Sequence, residues 1–173
     1  MKSYKCFLLL FFILSAMPAF ANQTLRLDNG KAFVISDDFR KSDQMSTKDT
    51  TTYYTEDQQA LIQTLNLGQE WSPTLEEVEQ NSDELANSFI TGVEGAGGNC
   101  ENMTKVVSQT KSGGTIMILN YDLINASNIR ISATTYIMFI NGRMSAVTCA
   151  CNKELISQYS AEFSRVSAQI YNF

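Results

Sequence analysis

The stretch from Ile129 to Cys151 leaves this chain the fewest choices. Ile129 to Ile140 and Arg143 to Cys151 read as strands joined by Asn141-Gly142, a dipeptide favoured in type I′ hairpin turns because both central residues need positive φ. Side chains alternate across a strand. Ile137, Phe139, Met144 and Ala146 therefore share one face, and Tyr136, Met138, Ile140, Val147, Cys149 and Cys151 share the other. Both faces are apolar. Such a hairpin has to lie inside a sheet with a covering layer on each side.

The neighbouring segments supply those layers. Val106 to Thr110 and Thr115 to Leu123, separated by Ser112-Gly113-Gly114, complete a four-strand meander with the hairpin. Leu155, Ile156, Tyr159, Phe163, Val166 and Ile170 recur at helical spacing and form the stripe of a C-terminal helix. Thr74 with Glu77 three residues on marks a helix start. Leu75, Val78, Leu85, Phe89 and Val93 then give one apolar face, ending in the glycines at 92, 95, 97 and 98. That cluster follows the helix, where exposed carbonyls repel anions, so it reads as a C-cap and loop and not as a phosphate cradle.

Nearer the N-terminus, Thr24 to Leu27 and Ala32 to Ile35 read as a hairpin around Asn29-Gly30. Ser36 to Asp49 reads as a loop or a single helical turn, and Thr50 to Tyr54 and Ala60 to Leu65 as strands. The expected fold is α+β: an antiparallel sheet built from the N-terminal hairpin and the four-strand meander, flanked by a central and a C-terminal helix.

Residues 1–21 have the order of a cleavable export signal: Lys2 and Lys5, an apolar run from Phe7 to Leu14, then Ala19-Phe20-Ala21. The run is shorter than the roughly 20 residues that span a bilayer. Cleavage after Ala21 leaves residues 22–173 as a single periplasmic or secreted domain of about 150 residues, enough for one hydrophobic core. No cysteine stands at the cleavage point to take a lipid anchor, and no further stretch is apolar enough to span a membrane. After residue 21, eleven basic residues face eighteen acidic ones, a net charge of −7 that argues against nucleic-acid or anionic-membrane binding. The chain holds no histidine, which removes Ser-His and Cys-His pairs and the commonest zinc ligand.

Cys100, Cys149 and Cys151 remain once Cys6 leaves with the signal, an odd number for an oxidising compartment. Cys149-Ala150-Cys151 lacks the spacing of a thioredoxin-type motif, and a metal would need ligands that the chain does not group there. In a four-strand meander the start of the first strand and the end of the fourth share a rim. The expected bond is structural, Cys100 to one of the pair with Cys151 preferred, leaving Cys149 reduced.

Asp37-Asp38, Glu56-Asp57 and Glu76-Glu77 are sequence neighbours, not carboxylates facing each other across a cleft, and read as solvated turns and a helix start. The Asp37 to Asp43 region lacks the ligand spacing of a calcium loop. Trp71, just ahead of a helix, is either a ligand platform or a core anchor, and the anchor is the commoner role. The residues carry no catalytic, metal or cofactor set.

Phe33-Val34-Ile35-Ser36-Asp37-Asp38-Phe39 resembles the strand and I-P-x-G-F opening of the PsbP-like and DcrB-like domains, with Ser36 and Asp38 where that opening has Pro and Gly. Tyr54 to Asp57 matches a turn of that family. Leu75-Glu76-Glu77-Val78 matches its first long helix, and the Asn141-Gly142 hairpin with the terminal helix matches its closing pattern. The resemblance runs from about Thr24 to Phe173. It implies an antiparallel sheet flanked by helices and an accessory, assembly or adaptor role with no shared catalytic motif. The expected function is a non-enzymatic binding protein whose partner is another envelope or secreted protein. The alternatives are a periplasmic immunity or inhibitor protein that neutralises a toxin, and a small hydrolase or thiol enzyme.

Overall fold

A computed structural model describes residues 22–95, 98–125 and 128–173. The export signal expected at 1–21, and Gly97 of the glycine cluster, lie outside them. Two sheets form. A two-stranded one pairs β1 (Asn22–Arg26) with β2 (Ala32–Ser36). The other has seven antiparallel strands: β3 (Phe39–Ser42), β4 (Thr50–Thr55), β5 (Ala60–Glu70), β6 (Asn99–Gln109), β7 (Thr115–Ile124), β8 (Arg130–Ile140) and β9 (Arg143–Asn152). Its spatial order is β3-β4-β5-β9-β8-β7-β6. The helices are α1 (Leu75–Gln80), α2 (Ser82–Gly95) and α3 (Ile156–Tyr171), the last preceded by a 3-10 turn at Lys153–Leu155.

The β8–β9 hairpin is central, as its two apolar faces require. Asn141 and Gly142 both have positive φ, 52° and 72°, and Ile140 stands opposite Arg143. Tyr136, Met138, Ile140, Val147, Cys149 and Cys151 lie in one core layer, beneath α3 and the β1–β2 hairpin. Ile137, Phe139, Ala146 and Met144 lie in the other, beneath α1 and α2. Within this second layer, Thr135 and Thr148 are register partners whose hydroxyls meet at 2.8 Å, with the Tyr121 hydroxyl 3.2 Å from Thr135. A one-residue slip would strand these buried hydroxyls among apolar side chains, so they pin the register.

Several expectations need correcting. The N-terminal hairpin is a sheet of its own, stacked on the large one by Leu25, Leu27, Phe33 and Ile35. Its turn is also different. The Gly30 N–H bonds to Leu27 O at 3.2 Å, the Leu27 N–H to Lys31 O at 2.9 Å, and Gly30 alone in that turn has positive φ, 82°. That is a three-residue loop closed by a left-handed glycine, and it leaves the Asn29 side chain for another task. The buried Asn29 donates through Nδ2 to Ser145 Oγ at 2.8 Å and accepts Asn141 Nδ2 on its carbonyl at 2.8 Å.

Phe39–Ser42, expected as loop, is the edge strand β3, and β5 runs on to Glu70. The central helix is two helices. At Asn81 the side chain donates to Glu77 O at 2.7 Å, and Ser82 Oγ donates to Glu79 O at 2.8 Å. Asn and Ser compete with the helix ladder in this way. Finally, Ile156 opens α3 at 47% exposure, outside the apolar stripe, while Tyr159, Val166 and Ile170 are buried.

The burial pattern gives a stability ranking. Met138→Ala, at a site with no exposure, should cost about 2–5 kcal/mol. Ile156→Ala should stay within about 0.5 kcal/mol. Urea melts that invert this order would overturn the placement of α3 on the sheet.

Candidate functional site

The three cysteines among the described residues are free thiols on opposite faces of the sheet. Cys100 belongs to the layer under α2, whereas Cys149 and Cys151 belong to the layer under α3. Cys100 lies in edge strand β6, and its line of partners runs through Leu123 and Ile131 to Asn152. The expected Cys100–Cys151 bond therefore does not form. Three strand steps separate the strands by about 14 Å, and no loop motion closes the gap because Cys100 is held in the ladder. Burial raises all three thiols above the ordinary cysteine range, and Glu94 adds to the effect at Cys100. None is an activated thiolate.

The paired carboxylates are partly brought together. Asp37, Asp38, Glu56 and Asp57 share an open depression of about 510 Å³ with Arg40, Gln158 and Tyr159. Asp38, Glu56 and Asp57 are each tied to local structure, Asp38 through Ser36 Oγ at 2.8 Å. Asp57 accepts from Thr55 Oγ1 at 2.6 Å, Gln59 N at 3.1 Å and the Tyr159 hydroxyl at 3.2 Å, and the Thr55 bond leads in holding its carboxyl below the usual range. Glu56 lies 3.7 Å from Arg40. Glu77 closes the expected capping box, accepting Thr74 N at 2.7 Å while its own N–H bonds Thr74 Oγ1 at 3.2 Å. Among the described residues no cluster of Cys, Asp and Glu could hold a metal ion.

Asp122, which sequence reading did not single out, is the most enclosed carboxylate. It is 7% exposed and accepts Lys153 Nζ at 2.6 Å and Asn102 Nδ2 at 2.9 Å. Asn102 sits in the left-handed region, φ 54°, where β6 bulges between Glu101 and Thr104. The cluster joins the bulge to the turn before α3. Trp71 is mainly an anchor. Its ring meets Phe139 edge-on at 5.2 Å, while its remaining surface lines an open depression of about 450 Å³ with Glu70, Ser72, Asn141 and Arg143.

What the surface offers beyond these pockets is a strand edge. The β3 edge is four residues long, whereas β6 runs eleven, with Met103 and Val106 exposed at 38% and 53%. Thr110 N–H bonds Gly114 O at 2.7 Å. Ladder bonds alternate along an antiparallel pair, so Ser108 and Val106 turn their backbone polar groups toward β7. Lys105, Val107 and Gln109 turn theirs outward. Among the described residues, nothing bonds those outward groups. On the α3 side of the sheet, over β8, Thr134, Tyr136, Phe163, Ser160, Ser164 and Ser167 line a groove of about 410 Å³. On the other side lie α1 and α2 with Glu76, Glu77, Glu79, Asp83, Glu84 and Glu94. A signal for this was present in the sequence: residues 49–104 contain no lysine or arginine.

No protein-family profile matches the chain. No curated protein matches it either. Among solved structures, it is similar to cyanobacterial PsbP (CyanoP) from Synechocystis sp. PCC 6803, with a TM-score of 0.69 and 11% identity over 89% of this chain and 94% of that one. It is also similar to PA94 from Pseudomonas aeruginosa, titled a putative regulator of unknown function, with a TM-score of 0.50 and 10% identity over 84% of this chain and 93% of the other. The fold is therefore PsbP-like.

Two outcomes are expected. Non-reducing peptide mapping should find no Cys100–Cys151 bridge, and maleimide should label Cys100 in the folded protein but Cys149 only after denaturation. A bridge would mean that β6 lies elsewhere. The second concerns Asp122, whose carboxyl is held below the usual range by the Lys153 and Asn102 hydrogen bonds. Its stabilisation is full above the unfolded value of about 3.9 and is lost as pH falls through the lower folded value. Asp122→Asn should thus weaken the protein at neutral pH and flatten the acid limb of its stability curve. Urea melts across that range check it, and an unchanged acid limb would remove Asp122 from the account.

Proposed function

We propose that this chain is an exported, non-enzymatic binding or accessory protein of the bacterial envelope that acts through protein–protein contacts. The observation that carries the reading is the open β6 edge, where outward backbone groups at Lys105, Val107 and Gln109 stand beside the exposed Val106. An unpaired strand edge is a template for another chain, and natural sheets usually blunt or cover theirs. Two further points support it. The order of Lys2, Lys5, the apolar run and Ala19-Phe20-Ala21 is that of an export signal. The PsbP-like fold fits the accessory role that the sequence resemblance implies.

The test uses the native host. A photo-reactive residue at position 106 should crosslink one envelope or secreted protein at stoichiometric yield, and the same group at the exposed Lys48 should not. The purified periplasmic form should begin at Asn22. Retention of residues 1–21 in a cytoplasmic pool would overturn the location. Absence of any crosslinked partner, together with turnover of a substrate, would replace the binding reading with the enzyme alternative.

A further inference from the structure

The strand edge and the charge on its flanks together specify what fits there. Edge addition requires an extended chain, whose outward amides complete the ladder left open at Lys105, Val107 and Gln109. Side chains of an added strand point alternately to the two faces of the sheet. On the α1–α2 side they meet an exposed acidic surface that includes Glu76, Glu79, Asp83 and Glu84. The basic residue of that edge, Lys105, is already neutralised there: its Nζ lies 2.5 Å from Asp83 Oδ1 and 2.9 Å from Ser82 Oγ. On the α3 side the added strand meets Thr104, Val106 and Ser108, an uncharged row with one exposed apolar side chain.

A second copy of this chain does not fit. A two-fold axis perpendicular to the sheet would set the α1–α2 acidic surfaces of both copies side by side, like charge against like. Resting on the binding reading above, we infer that the β6 edge takes an extended segment of a different protein, with lysine or arginine at every second position and small or apolar residues between them. The basic side chains lie along α1 and α2, and the apolar ones cover Val106. The helices thereby select charge, and the strand supplies the backbone bonds.

The experiment titrates the isotope-labelled, exported protein with a nine-residue peptide of alternating lysine and valine and follows amide signals and amide exchange by NMR. Exchange should slow at Lys105, Val107 and Gln109 and remain unchanged at β3. Paired Glu79→Lys and Asp83→Lys, both on exposed helix positions, should weaken binding about tenfold. A peptide with glutamate in place of lysine should not bind. The decisive control is the lysine–valine peptide N-methylated at every amide, which keeps its charge but has no N–H on either edge to join the ladder. Equal binding by that control, or signal changes centred on Asp37 and Asp57, would show charge attraction alone and overturn the inference. So would the absence of binding. In those cases a partner crosslinked through another surface would leave the accessory reading standing, whereas no partner at all would remove both.

Discussion

Everything in this molecule is arranged around two strands that cannot face water on either side. β8 and β9 place Met138, Val147 and Cys149 in one layer and Ile137, Phe139 and Ala146 in the other. Full burial of a large aliphatic side chain is worth about 1.5–3 kcal/mol, so exposing either row would remove a large share of a domain's net stability. Two covering layers are therefore obligatory. The chain supplies α1 and α2 between β5 and β6, and α3 after β9. β5 then docks on the free side of β9, with Ala60 opposite Cys151 and Leu65 opposite Ala146, and extends the sheet beyond the meander.

The α3 layer is too narrow to finish its side alone, and the β1–β2 hairpin completes it. This creates a second problem, because a hairpin stacked face to face leaves its own backbone edges unpaired. Helix side chains answer it. Gln169 bonds both Val34 N at 2.8 Å and Val34 O at 2.9 Å, and Glu162 accepts Ser36 N at 2.8 Å. Arg165 holds Glu162 in turn and reaches Asn22. The far end is held by the buried Asn29–Ser145 bond and by Asn141 on Asn29 O. Polar side chains on α3 thus do the work of a neighbouring strand.

The parts of the fold that follow from local alternation were legible. The two faces of β8 and β9 fell as the residues predict, and Asn141-Gly142 formed the type I′ turn. What depended on long-range placement was hidden. Asn29-Gly30 has the same letters as Asn141-Gly142, yet forms a different loop because Asn29 is needed by Ser145, 116 residues away. β3 is short, and its register is set by β4, from Phe39 opposite Thr55 onward. Cys149 and Cys151 were placed on the right strand and face, but Cys100 was placed ahead of the first meander strand. A bulge between Glu101 and Thr104 and the longer β6 put Cys100 inside the ladder, not in a loop ahead of it. Paired acids in separate turns gave no hint that Asp37 and Asp57 share one depression, because the β2–β3 and β4–β5 connections meet only through tertiary packing.

The same logic explains why one edge of the sheet is left open. At β3 the edge is only four residues long, and Gln23 of the β1–β2 hairpin donates to Phe39 O on it. At β6 the connection from α2 arrives along the strand, with Glu94 3.4 Å from Cys100 N at one end and Asp83 on Lys105 further along. Past Lys105 that cover ends, and Val106 to Gln109 carry neither a proline nor a free charge to turn another strand away. A sheet that keeps one edge to four residues and half of the other beside a helix has the means to limit both. The exposed remainder is confined to the stretch where an acidic flank and an uncharged flank meet, and there a strand with two unlike faces finds a complement to each.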